Sequence, residues 1–373
     1  MRSAWNVPLG VIALVTGVAP ALAEVLIGFG GSITGSTNWF VGQQLRGAQQ
    51  AVADLNDAGG VLGEPVEMTI ADDYCDGEQG VAAANKLVAH GVVFVVGHNC
   101  SGASIPASKV YADAGVLMIS PGSTNPILTD QGLGNVFRVI GRDDRQGAMT
   151  GDYLADHWTD RKIAIVHDSE LYGQGLAEET KRQLNRWGVH EVLFTQIEPG
   201  QVDYIDVIEE MRALGVDVLY YAGYSAEAGL IIRQARGRGY DLQLIGGDGI
   251  GAEDFGLIAG PAGDGTLFTG TPDLAGRTPA ASLVAKFRDE TFEPSYDVVL
   301  GYAVVQTWAQ AVEMAGTLET KAVAEALRAH EFDTVLGTIG FDDNGDVYGY
   351  EPFAWYVWQD GEYAPVDPAE LTD

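Results

Sequence analysis

The sequence predicts an α/β protein made of two doubly wound, parallel-sheet lobes in tandem, hinged as a clamshell. Three observations predict this. Short, wholly apolar strand runs alternate with amphipathic helical runs, the pattern of a parallel sheet covered on both faces. The rhythm pauses near residue 142 and restarts at 162. Late segments beyond residue 272 return to helices and hairpins, so the chain places them back on units already begun.

The first lobe opens with the strand "VLIGFG" (25–30). A helix follows near 40–57, with Leu45, Ala48, Val52 and Leu55 on one face at helical spacing, and "NDAGG" stops it with glycine. The strand "VEMTIADD", a helix through "GVAAANKLVAH", the strand "VVFVVG", a helix through "ASIPASKVYADAG" and the strand "VLMIS" complete the βαβ series. "NVFRVI" and "GRDDRQG" read as a transition. The second lobe alternates the strands "KIAIVHD" (162–168), "EVLFTQI", "VDVLYYAG" and "LQLIGGD" with three helical runs. Three more helical runs follow, then "GTIGFDDNGDVYGY", where Asn344-Gly345 reads as a two-residue hairpin turn, and "FAWYVWQDGEYAPV", with Asp360-Gly361.

The amino terminus, "MRSAWNVPLGVIALVTGVAPALAE", has Arg2, an apolar stretch over residues 7–18 and the small-x-small triplet Ala21-Leu22-Ala23. This is a secretory signal peptide with cleavage expected after Ala23, rather than a membrane anchor. The mature chain of about 350 residues exceeds one ordinary domain and is expected in an oxidising compartment, without membrane insertion.

Acidic residues number 52 against 21 basic, a net charge of −31. Such a surface repels nucleic acid and anionic lipid, and self-repulsion favours a soluble monomer. No metal site is expected. "DDNGD" (342–346) resembles a calcium loop only loosely, with its glycine misplaced and no glutamate at the twelfth position. The two cysteines, Cys75 and Cys100, most simply make one disulfide. A catalytic thiol is the competing reading.

Ligands of open α/β sheets bind beyond the carboxyl ends of the strands. "VVFVVG" delivers His98, Asn99, Cys100 and Ser101 there, and "VLMIS" delivers "PGSTNP" (121–126). Hydroxyls of Ser101 and Thr124 and amides of Ser123 and Thr124 suit a carboxylate. The bland alternative is helix capping and turn chemistry. The second lobe offers Tyr172, Tyr224 and Asp248 beyond its strand ends, where a lone carboxylate suits an ammonium group. Together the walls make a trap for a zwitterion.

The stretches "GAQQAVADLNDAGGVLG", "DDYCDGEQGVAAANKLV", "VVGHNCSGASIPAS", "VLMISPGSTNP", "KIAIVHDSELYGQGLA", "VDVLYYAGYSAEAGLIIRQAR" and "FDTVLGTIGFDDNGDV" carry a further reading. With them, essentially the whole mature chain resembles the leucine/isoleucine/valine-binding proteins, the type I periplasmic receptors of branched-chain amino acid ABC transporters. The resemblance implies the type I periplasmic-binding-protein fold with a three-crossover hinge near residues 142, 272 and 350. It implies lobe 1 over 24–142 plus 272–350 and lobe 2 over 143–271 plus 351–373. It also implies a Cys75–Cys100 disulfide, and a ligand carboxylate held by Ser101 and Thr124 with help from Ser123. The ammonium is expected at the Gly122 carbonyl and Asp248, with Tyr172 and Tyr224 closing over the ligand. Trp39, or Phe40 beside it, is expected to wall the side-chain pocket. The implied partners are an amino acid ligand and an ABC permease, with no cofactor.

Three positions depart from the family pattern. Asp248 stands where a glutamate is usual, Asn99 replaces an apolar residue, and Gly122-Ser123 replaces two alanines. The wider family also holds receptors for amides, urea, γ-aminobutyrate and aromatic acids, and sensory modules share the fold. An exported enzyme needs a nucleophile with its base. The six histidines show no HExxH pattern, and no nucleophile-elbow serine accompanies them. "GDGIGA" (247–252) is too loose for a phosphate loop, and His98 reads as a supporting hydrogen-bonder.

Overall fold

A computed structural model describes Met1, residues 24–35 and residues 37–367 of the chain. The signal-peptide reading and its cleavage point lie outside the described residues.

The first unit runs β1 (Val25–Gly31), α1 (Asn38–Asp57), β2 (Val66–Asp72), α2 (Gly77–Ala89), β3 (Phe94–Gly97), α3 (Ser101–Ala114), β4 (Leu117–Ser120), the single turn α4 (Ile127–Asp130) and β5 (Val136–Arg138). Its strands form one parallel sheet in the order β2-β1-β3-β4-β5. Period-two alternation sends side chains to both faces. Val95 and Met118 pack among Ala83, Leu87 and Tyr111 of α2 and α3. Phe94 and Val96, on the other face, pack among Val41 and Trp308. The segment read as a transition, "NVFRVI", supplies the fifth strand instead. Its three paired residues are too few to show periodicity, yet all three are buried.

After α5 (Asp143–His157), the second unit runs β6 (Ile163–His167), α6 (Leu171–Arg186), β7 (Leu193–Gln196), α7 (Ile205–Leu214), β8 (Val218–Ala222), α8 (Ser225–Gly237), β9 (Gln243–Gly246), α9 (Glu253–Ala259) and β10 (Leu267–Gly270). The chain continues through α10 (Ala281–Asp289), α11 (Tyr296–Ala315), α12 (Thr320–Ala329) and the small sheet β11 (Phe332–Thr334), β12 (Gly337–Phe341), β13 (Val347–Tyr348). It ends in β14 (Ala354–Gln359) and β15 (Glu362–Pro365), which close the second sheet in the order β15-β14-β10-β9-β8-β6-β7. That sheet is mixed: β14 and β15 run antiparallel to their neighbours.

The late helix α11 belongs to the first unit. It crosses α1 so closely that both helices carry glycine at the contact. A Cβ on Gly47 would stand 2.0 Å from the Val298 carbonyl oxygen, and one on Gly301 would stand 2.0 Å from that of Gln44.

The two hairpin readings divide. Asp360 and Gly361 (φ 54° and 81°) join the paired residues Gln359 and Glu362, a two-residue turn. Asn344-Gly345 does not form one. It sits in a five-residue loop between the partners Phe341 and Val347, because Asp342 Oδ1 accepts the amides of Asn344, Gly345 and Asp346 and builds a side-chain-closed turn. Asp346 of that loop pairs with Arg138 at 2.6 Å and Arg142 at 2.7 Å. Among the described residues no helix is long and apolar enough to cross a membrane.

Candidate functional site

The carboxyl ends of β3 and β4 face those of β6, β8 and β9 across one small cavity. The turn after β4 is fixed from below. Ser120 Oγ donates to the His98 carbonyl at 2.6 Å and accepts the Ser123 amide at 2.9 Å. Arg138, wholly buried, donates to the carbonyls of Ser123 at 2.8 Å and Asn125 at 3.0 Å. Ser101, the first residue of α3, accepts the Asn125 amide on its hydroxyl at 3.2 Å, so it links the two turns rather than capping its helix. The Cys75–Cys100 disulfide, with Cα atoms 5.4 Å apart, ties the same point to the loop after β2. His98 points away from the cavity into the core, where its ring nitrogens meet Asp73 at 2.6 Å and the Tyr111 hydroxyl at 2.8 Å.

From the first unit, Phe40, Gln44, Asn99, Ser101, Gly122, Thr124 and Ile140 line the cavity, together with Tyr296 and Asp297 at the start of α11. From the second come Tyr172, Tyr224, Asp248 and Gly249. The units also touch directly beside it, where Asn125 Nδ2 donates to the Leu171 carbonyl at 2.7 Å. The space left for water is about 30 Å³, room for one or two molecules. A larger ligand enters only when the walls part.

The second-unit wall is a hydrogen-bonded cluster. The Tyr172 hydroxyl donates to Asp248 Oδ1 at 2.8 Å and accepts the Gly249 amide at 2.9 Å. The ring centroids of Tyr172 and Tyr224 lie 5.2 Å apart. Burial raises the Asp248 carboxyl above its usual range, and the bonds from Tyr172 and Gln146 act against the rise. Asp143, fully buried behind the cavity, is pushed well up by its own burial and then by the Asp248 charge, against the nearby Thr124 hydroxyl. Burial also pushes Asp297 up to about 7, with the Gln44 hydrogen bond pulling it back. Among the described residues, no lysine or arginine lines the cavity.

Of the residues singled out from sequence, Asn99, Ser101, Gly122, Thr124, Tyr172, Tyr224 and Asp248 come together here. Trp39 does not; Phe40 takes that place. Neighbouring helical residues point about 100° apart, so only one of the pair can face the cavity. Ser123 is also displaced from the wall. Its amide is held by Ser120, and its hydroxyl donates to the Asn99 carbonyl at 2.7 Å and meets Ser104 at 2.5 Å. Its role is to brace the turn. Sequence reasoning missed Gln44, Ile140, Asp143, Gly249, Tyr296 and Asp297. Gln44 carried a signal: it interrupts the buried stripe Val41, Ala48, Ala51 of α1.

Two facing α/β units, hinged by crossing segments and meeting over a cavity walled by hydroxyls on one side and an acid with two tyrosines on the other, define a bilobal ligand-binding protein. The chain belongs to the periplasmic binding protein family, whose model matches residues 24–362. This is a family of exported binding proteins, not of enzymes. A Leu/Ile/Val-binding protein homolog of Brucella melitensis is 45% identical over 366 residues, covering 97% of this chain and 99% of the relative. A leucine-, isoleucine-, valine-, threonine-, and alanine-binding protein of Pseudomonas aeruginosa is 38% identical over 340 residues, 91% of each chain. The crystal structure of a leucine-binding protein from Thermotoga maritima superposes with a TM-score of 0.83 at 26% identity, covering 93% of this chain and all of that one. The substrate-binding protein LivJ of Streptococcus pneumoniae, in complex with isoleucine, gives 0.80 at 25% identity, covering 92% of this chain and all of its own.

Proposed function

We propose that this protein is the solute receptor of an amino acid ABC importer and binds a compact, branched-chain α-amino acid between its two lobes. The observation that carries the reading is the pair of opposed walls, Ser101 and Thr124 facing Tyr172, Tyr224 and Asp248 over one cavity. Ser101 and Thr124 hold the ligand carboxylate, on a turn braced by Ser123. The Gly122 carbonyl and Asp248 hold the ammonium. Tyr172 and Tyr224 cover the ligand, and Phe40 with Ile140 walls its side chain.

Lobe 1 comprises 24–142 plus 272–350 and lobe 2 comprises 143–271 plus 351–373, with the three crossings as the hinge. Ligand binding shifts the population toward the closed form, because only there do both walls touch the ligand. The mature protein, starting at Glu24 after signal cleavage, works as a monomer and hands its cargo to a membrane permease. The relatives named for leucine, isoleucine and valine support this cargo class.

Calorimetry on ligand-stripped mature protein tests the reading. Leucine, isoleucine, valine, alanine, γ-aminobutyrate and urea are titrated in turn, and the aliphatic α-amino acids are expected to bind. Binding of an amide or a simple acid, with no α-amino acid bound, overturns it.

A further inference from the structure

Beside the apolar Phe40 and Ile140, the first-lobe wall carries a polar strip of Asn99, Gln44 and Asp297. Asn99 Nδ2 donates to Gln44 Oε1 at 3.2 Å, and Gln44 Nε2 donates to Asp297 Oδ1 at 3.0 Å. The relay ends on a carboxylate that is only 2% exposed and borders the cavity. Beyond Gln44, its remaining side-chain donor is the Ser295 hydroxyl, at 3.4 Å. Above the pH of about 7 at which it ionises, this carboxylate offers about four acceptor positions, so Asp297 keeps acceptor capacity to spare. The packing makes room for this arrangement. A Cβ on Gly122 would stand 2.1 Å from Asn99 Nδ2 and 3.1 Å from Gln44 Nε2, so the glycine leaves the space that the two amides fill. A buried polar group left short of partners is costly. A purely aliphatic ligand side chain would leave that spare acceptor capacity unused, whereas a donor would add a hydrogen bond to it.

We infer that the Asn99–Gln44–Asp297 relay sets ligand preference within the compact amino acids, favouring side chains that carry a hydroxyl or amide donor over apolar side chains of the same shape. The inference rests on the reading that the ligand is an α-amino acid. Threonine and valine share a shape and differ by one hydroxyl. Asparagine and leucine form a second such pair. Threonine therefore binds more tightly than valine, and asparagine more tightly than leucine. The difference is about tenfold or more, the scale of one hydrogen bond to a charged group.

Calorimetric titration of the ligand-stripped wild-type protein with these four amino acids is the test, and it needs no variant to fold. Valine equal to or tighter than threonine, with leucine likewise against asparagine, overturns this inference and leaves the amino acid receptor standing. Absence of binding by all four overturns both. In Gln44→Met and Asp297→Leu, the preference is expected to fall to within about twofold. A preference that persists undiminished in a folded variant overturns the assignment to the relay.

Discussion

Tyr172 and Asp248 act as one unit, the phenol donating to the carboxylate at 2.8 Å while the Gly249 amide at 2.9 Å orients the phenol. The acid is thereby aimed at the cavity it lines. Asp248→Ala is expected to weaken ligand binding by about 2–5 kcal/mol, the range for removing one partner of a buried charge pair. Tyr172→Phe is expected to cost less, about 1–3 kcal/mol. Calorimetry on both variants checks the order; an unchanged affinity in Asp248→Ala removes that residue from the site.

Asp297 gives a pH dependence with a definite sign. Its carboxyl is pushed up to about 7 in the fold, against about 4 in an unfolded chain. Between those values the folded state binds more protons, so this group's contribution is fully present at the acid end and is lost as pH rises through about 7. Asp297→Asn keeps the oxygen that accepts from Gln44 and removes the charge. The melting temperature of the variant relative to wild type should therefore be more favourable at pH 8 than at pH 5. Scanning calorimetry at the two pH values decides; an identical difference at both means the group titrates normally.

Gly122 and Asn99 compete for one volume. Gly122→Ala drives a methyl group to 2.1 Å from Asn99 Nδ2, and relief requires the amide to leave Gln44. A loss of about 1–3 kcal/mol in stability follows. Adding Asn99→Ala should restore most of it, since the obstructing amide is gone. Denaturant titration of the single and double variants measures this, and simple additivity of the two changes refutes the coupling.

At the α1–α11 crossing, Gly301→Ala sets a methyl group 2.0 Å from the Gln44 carbonyl oxygen. The helices must separate, at a cost of about 1–3 kcal/mol or more. Gly42→Ala, on the exposed side of α1 with nothing within 4 Å, should instead be neutral or stabilise by up to about 1 kcal/mol. Urea unfolding of the two variants tests the contrast.

Reducing Cys75–Cys100 opens a loop with a sequence separation of 25, worth about 3 kcal/mol in the chain-entropy model. The reduced protein should melt at a lower temperature. It should also bind ligand less tightly, because Cys100 lies between Asn99 and Ser101. Equal affinity in both redox states would detach the staple from the site.

The alternation of apolar strands and helical stripes was legible because each buried parallel strand advertises itself as a short apolar run. So were the strand-end residues Ser101, Thr124, Tyr172 and Asp248, since topology alone puts them on the ligand side of the sheets. The three-residue strand β5 was not, for want of length. The choice between Trp39 and Phe40 depended on helix phase, which two adjacent aromatics leave open. Asp297 looked like any acid in the first turn of a helix; only the crossing of α11 back onto the first unit turns it toward the cavity. The Ser123 amide, expected to be free for a ligand, is taken by Ser120 Oγ, because a turn's sequence does not tell which of its amides the turn itself uses.

The order of the strands also sets a timetable. β10 finds its outer neighbour only in β14, and β14 ends at Gln359. The core on one face of β1 and β3 is completed by α11, which ends at Ala315. During synthesis, neither unit can close until most or nearly all of the polypeptide has left the ribosome. Until then β10 presents a bare edge and the helix α1 lacks the partner it packs against most closely.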